Sequence, residues 1–213
     1  MPSNALPRAV HAAAPLAVLE AVRGLDAPEQ DEFDEFHEEL TVKRLGLSRT
    51  VADQIERFRR LARRGARADV EEFVALLRLV ARRHDARLVF SDAGRRVAQF
   101  SVRQLSWPLR LAARLLPWGL GRRAGMALAR GRARAVLGVT LRSEAGAPVA
   151  TLDEAPALRA TPDGAACAMY GSAIAELLRL LTDFDGAMLH VTCRARGGGT
   201  CEWRAESSKE SSS

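Results

Sequence analysis

The chain has 213 residues, of which 47% are hydrophobic and 27% charged, a composition typical of a folded domain with a sizeable core. No apolar run approaches the ~20 residues that a membrane-spanning helix requires, which argues against such a helix. The net charge of +6 comes almost entirely from arginine in an alanine-rich chain, since only Lys43 and Lys209 are lysines. This charge reflects composition and does not by itself indicate a nucleic-acid partner.

Residues 1–50 are predicted to form an N-terminal tail and an acidic helical arm. The first twelve residues show no periodicity, whereas Ala13 to Arg23 favour a short helix. The acidic segment 29–40 (EQDEFDEFHEEL) places three apolar residues on one helical face: Phe33, Phe36 and Leu40. This segment is either a solvated amphipathic helix that packs its phenylalanines, or an arm that shields the basic surface or recruits a partner.

Two amphipathic helices are predicted next. Ser48 or Thr50 is suited to cap the first, and Gly65 to end it. Asp69 begins the second, whose broad apolar face predicts a core or dimer helix: Val70, Phe73, Val74, Leu77 and Val80. The stretch Arg87 to Asp92 (RLVFSD) is then interpreted as a short strand, with Asp92 capping the helix that follows.

Between Asp92 and Glu144 the chain carries eleven arginines and no acidic residue. Ser106 and Pro108 predict the start of one helix, and a second basic helix follows Pro117. Trp107 and Trp118 beside arginines suit a weak membrane-surface contact. The alternative is that both tryptophans fill the core while the arginines stay solvated. DNA binding is not predicted, because no helix-turn-helix or zinc-finger pattern accompanies the charge.

A hairpin is predicted where VTLR (139–142) and PVATL (148–152) flank a turn containing Gly146. The run Thr161-Pro162-Asp163 is a helix-start signal that leads into the region containing all three cysteines. The final residues, 207–213, are predicted to be a disordered tail.

The stretch 161–206 predicts a helix followed by a second hairpin. Cys193 and Cys201 flank the turn glycines 197–199, which makes the two cysteines cross-strand neighbours. Strict alternation puts four residues on the buried face of the first strand: Ala187, Leu189, Val191 and Cys193. Cys167 lies near the start of the preceding helix, whose apolar stripe has to cover this hairpin: Tyr170, Ile174, Leu177, Leu178 and Leu181. The three thiols are therefore expected to converge.

Three explanations fit converging thiols. Each cysteine can be a small buried hydrophobe. Cys193 and Cys201 can form a cross-strand disulfide, although the N-terminus does not resemble a signal peptide and cytosolic thiols normally stay reduced. The third explanation is a structural zinc site with three thiolates and a fourth ligand.

The pattern of Cys167, Cys193, Gly197, Cys201 and Trp203 resembles the 4-vinyl reductase domain. That domain occurs in bacteriochlorophyll-synthesis proteins and in the sensory half of phenol- and xylene-responsive transcription activators. It is similar in fold to small subunits of vesicle-tethering complexes. The resemblance implies an α+β domain, usually dimeric, that binds a small hydrophobic ligand.

In the aromatic-sensing members of that family, three cysteines and an acidic side chain hold zinc. The resemblance therefore implies that Cys167, Cys193 and Cys201 bind zinc here, with His190 as the nearest candidate for the fourth ligand. Strand alternation points His190 away from Cys193 unless a β-bulge intervenes, and Glu202 has the same difficulty.

Catalytic patterns are absent from the sequence. It contains no glycine-rich phosphate loop before a helix, no Ser-His-Asp or His-Glu-x-x-His set, and no flavin or nicotinamide fingerprint. We therefore expect a cytoplasmic, non-enzymatic α+β domain over residues 51–206, with an antiparallel sheet of about four strands covered by helices. It is expected to form a homodimer and to bind or sense a hydrophobic or aromatic small molecule. The alternatives are an accessory factor in tetrapyrrole metabolism and a ligand-free scaffold or tethering subunit.

Overall fold

The computed structural model describes residues 8–26, 48–106 and 118–207, and within them the chain forms an α+β fold. The α-helices are α1 Ala13–Asp26, α2 Arg49–Arg63, α3 Val70–Ala81, α4 Ala86–Arg103, α5 Trp118–Arg132, α6 Pro156–Ala160 and α7 Ala168–Leu181. The strands are β1 Ala9–His11, β2 Arg67–Asp69, β3 Thr140–Glu144, β4 Ala147–Leu152, β5 Gly186–Thr192 and β6 Cys201–Ser207.

The main sheet has four antiparallel strands in the order β3-β4-β6-β5, which confirms the predicted fold class. Helices α5 and α7 pack on the sheet, and α4 packs on α7. Helix α1 packs on α4 and belongs to the same hydrophobic core as the cysteine-bearing elements. The strands β1 and β2 form a separate two-stranded sheet.

The predicted caps of α2 and α3 are confirmed. Ser48 Oγ accepts a hydrogen bond from the backbone N–H of Val51, and Asp69 Oδ1 accepts from those of Glu71 and Glu72. Each cap satisfies N–H groups that the first turn of a helix leaves without a partner. The β3–β4 hairpin is confirmed as well, with Ala145 and Gly146 at positive φ (48° and 86°) in its turn.

The strand predicted over Arg87 to Asp92 is wrong, because these residues lie within α4. Val89, Phe90 and Ala93 are all fully buried, which is the spacing of a helical face. A six-residue stretch with only three apolar residues has no periodicity long enough to separate a strand from a helix. Asp92 lies inside α4, where it pairs with Arg96 one turn later.

Some predictions fall outside the described residues. These include the acidic segment 29–40, the tail from 208 onward, and the helix start at Trp107 and Pro108. Trp118 begins the second basic helix, α5, but its side chain is not described. No helix among the described residues is long and apolar enough to cross a membrane.

Candidate metal centre

Cys167 lies directly before α7, at the end of a short turn whose first backbone N–H groups are capped by side chains. Asp163 Oδ1 accepts a hydrogen bond from Ala165 N (3.1 Å), and Thr161 Oγ1 accepts one from Ala166 N (3.2 Å). Gly164 has a φ of 76°, and a Cβ there would lie 3.0 Å from Cys193 Sγ and 3.8 Å from Cys167 Sγ. Glycine is therefore required here both by the left-handed backbone and by the space that the thiols occupy.

The buried face of β5 is the opposite of the predicted one. Met188 is buried, whereas Leu189 and Val191 are 45% and 47% exposed. The register with β6 shifts by one residue between His190 and Thr192. A β-bulge of this kind reverses the alternation, so His190 before it and Cys193 after it both face inward. On β6 the predicted face is confirmed, since Cys201 and Trp203 are buried.

The ligand atoms of Cys167, His190, Cys193 and Cys201 all lie within 4.8 Å of one another. The three cysteines are buried and free, so the cross-strand disulfide that was one of the three explanations is not formed. The structure thus brings together every residue that the sequence nominated for the site.

Cys201 and Cys167 differ in how readily their thiols ionise. The Cys167 thiol lowers the pKa of Cys201 by hydrogen bonding to it, and the neighbouring His190 and the backbone N–H of Arg194 act in the same direction against burial. The pKa of Cys167 is correspondingly raised, by that hydrogen bond and by burial. The thiolate form of Cys201 is thereby stabilised, which favours the approach of a cation.

His190 has an unusual environment. Its ring stacks on the buried Trp203 ring, with centroids 4.6 Å apart and planes 11° from parallel. Its Nε2 is buried and has no hydrogen-bond partner among the described residues. A buried polar atom without a partner costs about 1–3 kcal/mol, unless something else satisfies it. A metal ion in the cluster would supply that partner.

The loop between Cys193 and Cys201 is fixed to the end of β4. Arg194 donates to the carbonyl oxygen of Asp153 (2.6 Å) and pairs with Glu154. The hydroxyl of Thr200 lies 3.0 Å from both the Leu152 carbonyl oxygen and Asp153 Oδ1. These contacts connect the cluster to a second feature of the molecule, a cavity that Leu152, Asp153 and Glu154 help to line.

The cavity has a volume of about 280 Å³; a small-molecule site was expected from the sequence, but none of its lining residues was predicted. Met169 and Tyr170 of α7 form the wall that lies beside the cluster. The pKa of Tyr170 is raised, mainly by burial, so its hydroxyl stays neutral. The cavity was missed because its walls come from elements far apart along the chain, and no local pattern marks them.

The donor set and its spacing fit one metal ion. A tetrahedral zinc site has bonds of about 2.3 Å to sulfur and about 2.0 Å to nitrogen, which places the ligand atoms about 3.5–3.8 Å apart. The observed upper limit of 4.8 Å therefore requires only small side-chain movements for closure.

Comparison of the chain with protein-family models, with curated proteins and with solved structures gives no match. Its class therefore follows from the fold and the site alone. It is an α+β domain with a buried cluster of three cysteines and one histidine that could hold one metal ion.

Proposed function

We propose that this chain is a non-enzymatic binding domain for a small molecule, in which one zinc ion held by Cys167, His190, Cys193 and Cys201 joins the β5–β6 hairpin to α7. The convergence of three buried sulfur atoms with the unpartnered Nε2 of His190 carries the proposal.

Zinc is favoured by the chemistry of the donors. Thiolate and imidazole ligands in a four-coordinate arrangement are typical of structural zinc sites. A catalytic zinc keeps one coordination position open for water or substrate, whereas four protein ligands would fill the shell here. The metal would thus supply folding energy and rigidity, because the hairpin and α7 meet at this point.

The cavity of about 280 Å³ supports a ligand-binding domain over a ligand-free scaffold. A scaffold subunit would be expected to fill this space with its own apolar side chains. The cavity is instead lined by buried side chains such as Phe73, Met169 and Tyr170 together with exposed ones such as Arg67 and Arg134. The lining combines apolar with charged side chains, and small-molecule sites use an apolar surface for affinity and polar groups for orientation.

The resemblance to the 4-vinyl reductase domain belongs to this proposal and rests on the cysteine motif. In that interpretation His190 replaces an acidic zinc ligand, and the bound small molecule would be hydrophobic or aromatic.

The homodimer also stays a prediction. It has a candidate surface in β5, an edge strand of the four-stranded sheet that exposes Leu189 and Val191.

Metal analysis tests the proposal directly. Protein purified without chelator should contain about one zinc per chain, and Cys201→Ser should lose it. Because zinc binding is folding free energy, we expect the melting temperature of Cys201→Ser to fall by more than about 10 °C.

His190→Gln and His84→Gln form a matched pair for the fourth ligand, since His84 is exposed and is not part of the cluster. His190→Gln should weaken zinc binding in a chelator competition, and His84→Gln should not. A wild-type protein that is metal-free, takes up no zinc and melts at the same temperature as Cys201→Ser would contradict the proposal.

A further inference from the structure

The cavity beside the cluster has an apolar interior. Phe73 of α3, Met169 and Tyr170 of α7, and Leu152 at the end of β4 all line it and are all buried. Its volume is near the lower end of the range of about 300–1,000 Å³ that is typical of ligand sites. The interior therefore suits a single ring or a short chain, and not a tetrapyrrole or a long lipid.

One wall is a π-helical turn, Ala133–Leu137, which continues α5. Residues 134–138 all line the cavity, and the turn ends at Gly138 with a φ of 71°. Such turns are rare in proteins and occur often at functional sites, because they redirect side chains that a regular helix would point elsewhere. Here the turn places Leu137 at the wall and Arg134 at the rim.

The rim carries two arginines, Arg67 and Arg134, both exposed. Arg67 Nη1 donates to the carbonyl oxygen of Ala9 (3.2 Å), which holds the guanidinium near the opening. Within the described parts of the chain, neither arginine has a carboxylate at ion-pair distance.

The two carboxylates that also line the cavity are already engaged. Asp153 Oδ1 accepts from Thr200, and Glu154 pairs with Arg194 of the cysteine loop. Thr200 is neutral, so Asp153 keeps its negative charge, whereas Arg194 compensates the charge of Glu154. Arg67 and Arg134 together outweigh Asp153, so the net charge at the rim is positive.

The pKa of His11, which also lines the cavity, is affected by nearby arginines. Its Nδ1 accepts a hydrogen bond from Ala13 N (3.1 Å). Burial lowers the pKa of His11, and so do the positive charges of Arg67 and Arg132. Burial disfavours a charge of either sign, so only the contribution of the arginine charges favours an anion nearby.

This inference rests on the proposed function. We infer that the ligand is a small organic acid whose carboxylate binds Arg67 and Arg134 at the rim. Its apolar body would lie against Phe73, Leu137 and Met169. The planar fork of arginine matches a carboxylate in two parallel hydrogen bonds, and the interior buries a single ring. A neutral ligand of the same shape would leave the rim charges unpaired.

Calorimetry on the full, zinc-loaded chain tests the ligand class with four probes: benzoate, phenol, benzylamine and inorganic phosphate. Benzoate should bind about tenfold more tightly than phenol, which corresponds to about 1.4 kcal/mol, and benzylamine should not bind.

Arg134→Gln should weaken the affinity for benzoate at least about fivefold and leave the affinity for phenol unchanged. Arg123→Gln, an exposed arginine of α5 that does not line the cavity, should change neither. Ala135→Trp, at an exposed position on the lining, should block binding by filling the opening.

Each other outcome has a defined consequence. If phenol binds as tightly as benzoate, or Arg134→Gln has no effect, the organic acid is wrong while ligand binding stands. If phosphate competes with benzoate at equal affinity, the site recognises charge alone and the inference is overturned. If the folded, zinc-loaded protein binds none of the probes, the inference and the ligand part of the proposed function both fail. If benzoate binds to a protein that takes up no zinc, only the metal part fails.

Discussion

At the scale of single residues, two buried glycines set the distance between packed elements. A Cβ on Gly94 of α4 would lie 2.2 Å from the Met169 carbonyl oxygen of α7. A Cβ on Gly125 of α5 would lie 1.8 Å from the Leu181 carbonyl oxygen at the other end of α7. Backbone atoms cannot move aside as side chains do, so α7 is held closely against both helices only because these positions lack a side chain.

Gly94→Ala should therefore destabilise the fold although alanine is the better helix former. The gain in helix propensity is about 1 kcal/mol, whereas overpacking a buried helix contact costs about 1–3 kcal/mol or more. With the backbone oxygen this close, we expect a net loss of about 2 kcal/mol in the free energy of unfolding, measured by urea denaturation.

Gly131→Ala is the matched control in α5, because nothing lies within 4 Å of its Cβ position. That variant should gain about 0.5–1 kcal/mol. A Gly94→Ala protein as stable as Gly131→Ala would show that α4 and α7 are not closely packed.

At the scale of elements, one arginine joins three helices. Arg83 follows α3 and donates to both carboxylate oxygens of Asp26 at the end of α1 (2.8 and 3.2 Å). It also donates to both oxygens of Asp85, just before α4 (2.8 Å each). Arg83 lowers the pKa of Asp85, mainly by hydrogen bonding. Forked contacts of this geometry are stronger than ordinary surface ion pairs, because the groups are partly buried and preoriented.

Arg83→Gln should lower the free energy of unfolding by about 2 kcal/mol at pH 7, since it leaves a buried carboxylate at Asp26 with fewer donors. The exposed neighbour Arg82 provides the control, and Arg82→Gln should change stability by less than about 0.5 kcal/mol.

The effect of Arg83→Gln should also depend on pH. The pKa of Asp85 in the folded protein is lower than its unfolded value of about 3.9. The stability that ionised Asp85 contributes is therefore fully present above the unfolded pKa. That stability is lost as the pH falls through the folded pKa. The difference between wild type and Arg83→Gln should be constant from pH 7 to about 5 and shrink below about 4. Urea titrations at pH 7, 5 and 3 measure it, and a difference that grows on acidification would contradict this assignment.

At the scale of the whole molecule, the cysteine cluster and the cavity share one wall. The loop between Cys193 and Cys201 reaches back to the end of β4 through Arg194 and Thr200. The same β4 residues line the cavity, and α7 contributes Cys167 to one site and Tyr170 to the other. Rigidity at the cluster should therefore be transmitted to the cavity wall through direct contacts.

Thr200→Val tests this connection without removing a metal ligand. Loss of its hydrogen bonds should cost about 1 kcal/mol of stability. Zinc content should stay at that of the wild type, but zinc should leave several-fold faster in a chelator chase, because the loop is no longer held to β4. Thr140→Val is the control, at an exposed position on the opposite edge strand. Equal release rates for the two variants would show that the loop is held by the cysteines alone.

The sequence by itself determined the features that depend on short-range chemistry. The caps at Ser48 and Asp69 and the turn at Gly146 each follow from residues a few positions apart. The convergence of the three cysteines follows from one strand pairing and from the apolar stripe of the helix that covers it. Only the tertiary structure decided the rest. Packing of Val89, Phe90 and Ala93 as one helical face made 87–92 part of a helix, and a one-residue bulge at Val191 turned His190 toward the thiols. The cavity is lined by residues from Ala9 to Tyr170, so it exists only once distant elements have packed. Local patterns encode backbone preferences, whereas bulges and cavities are set by how those elements fit against one another in space.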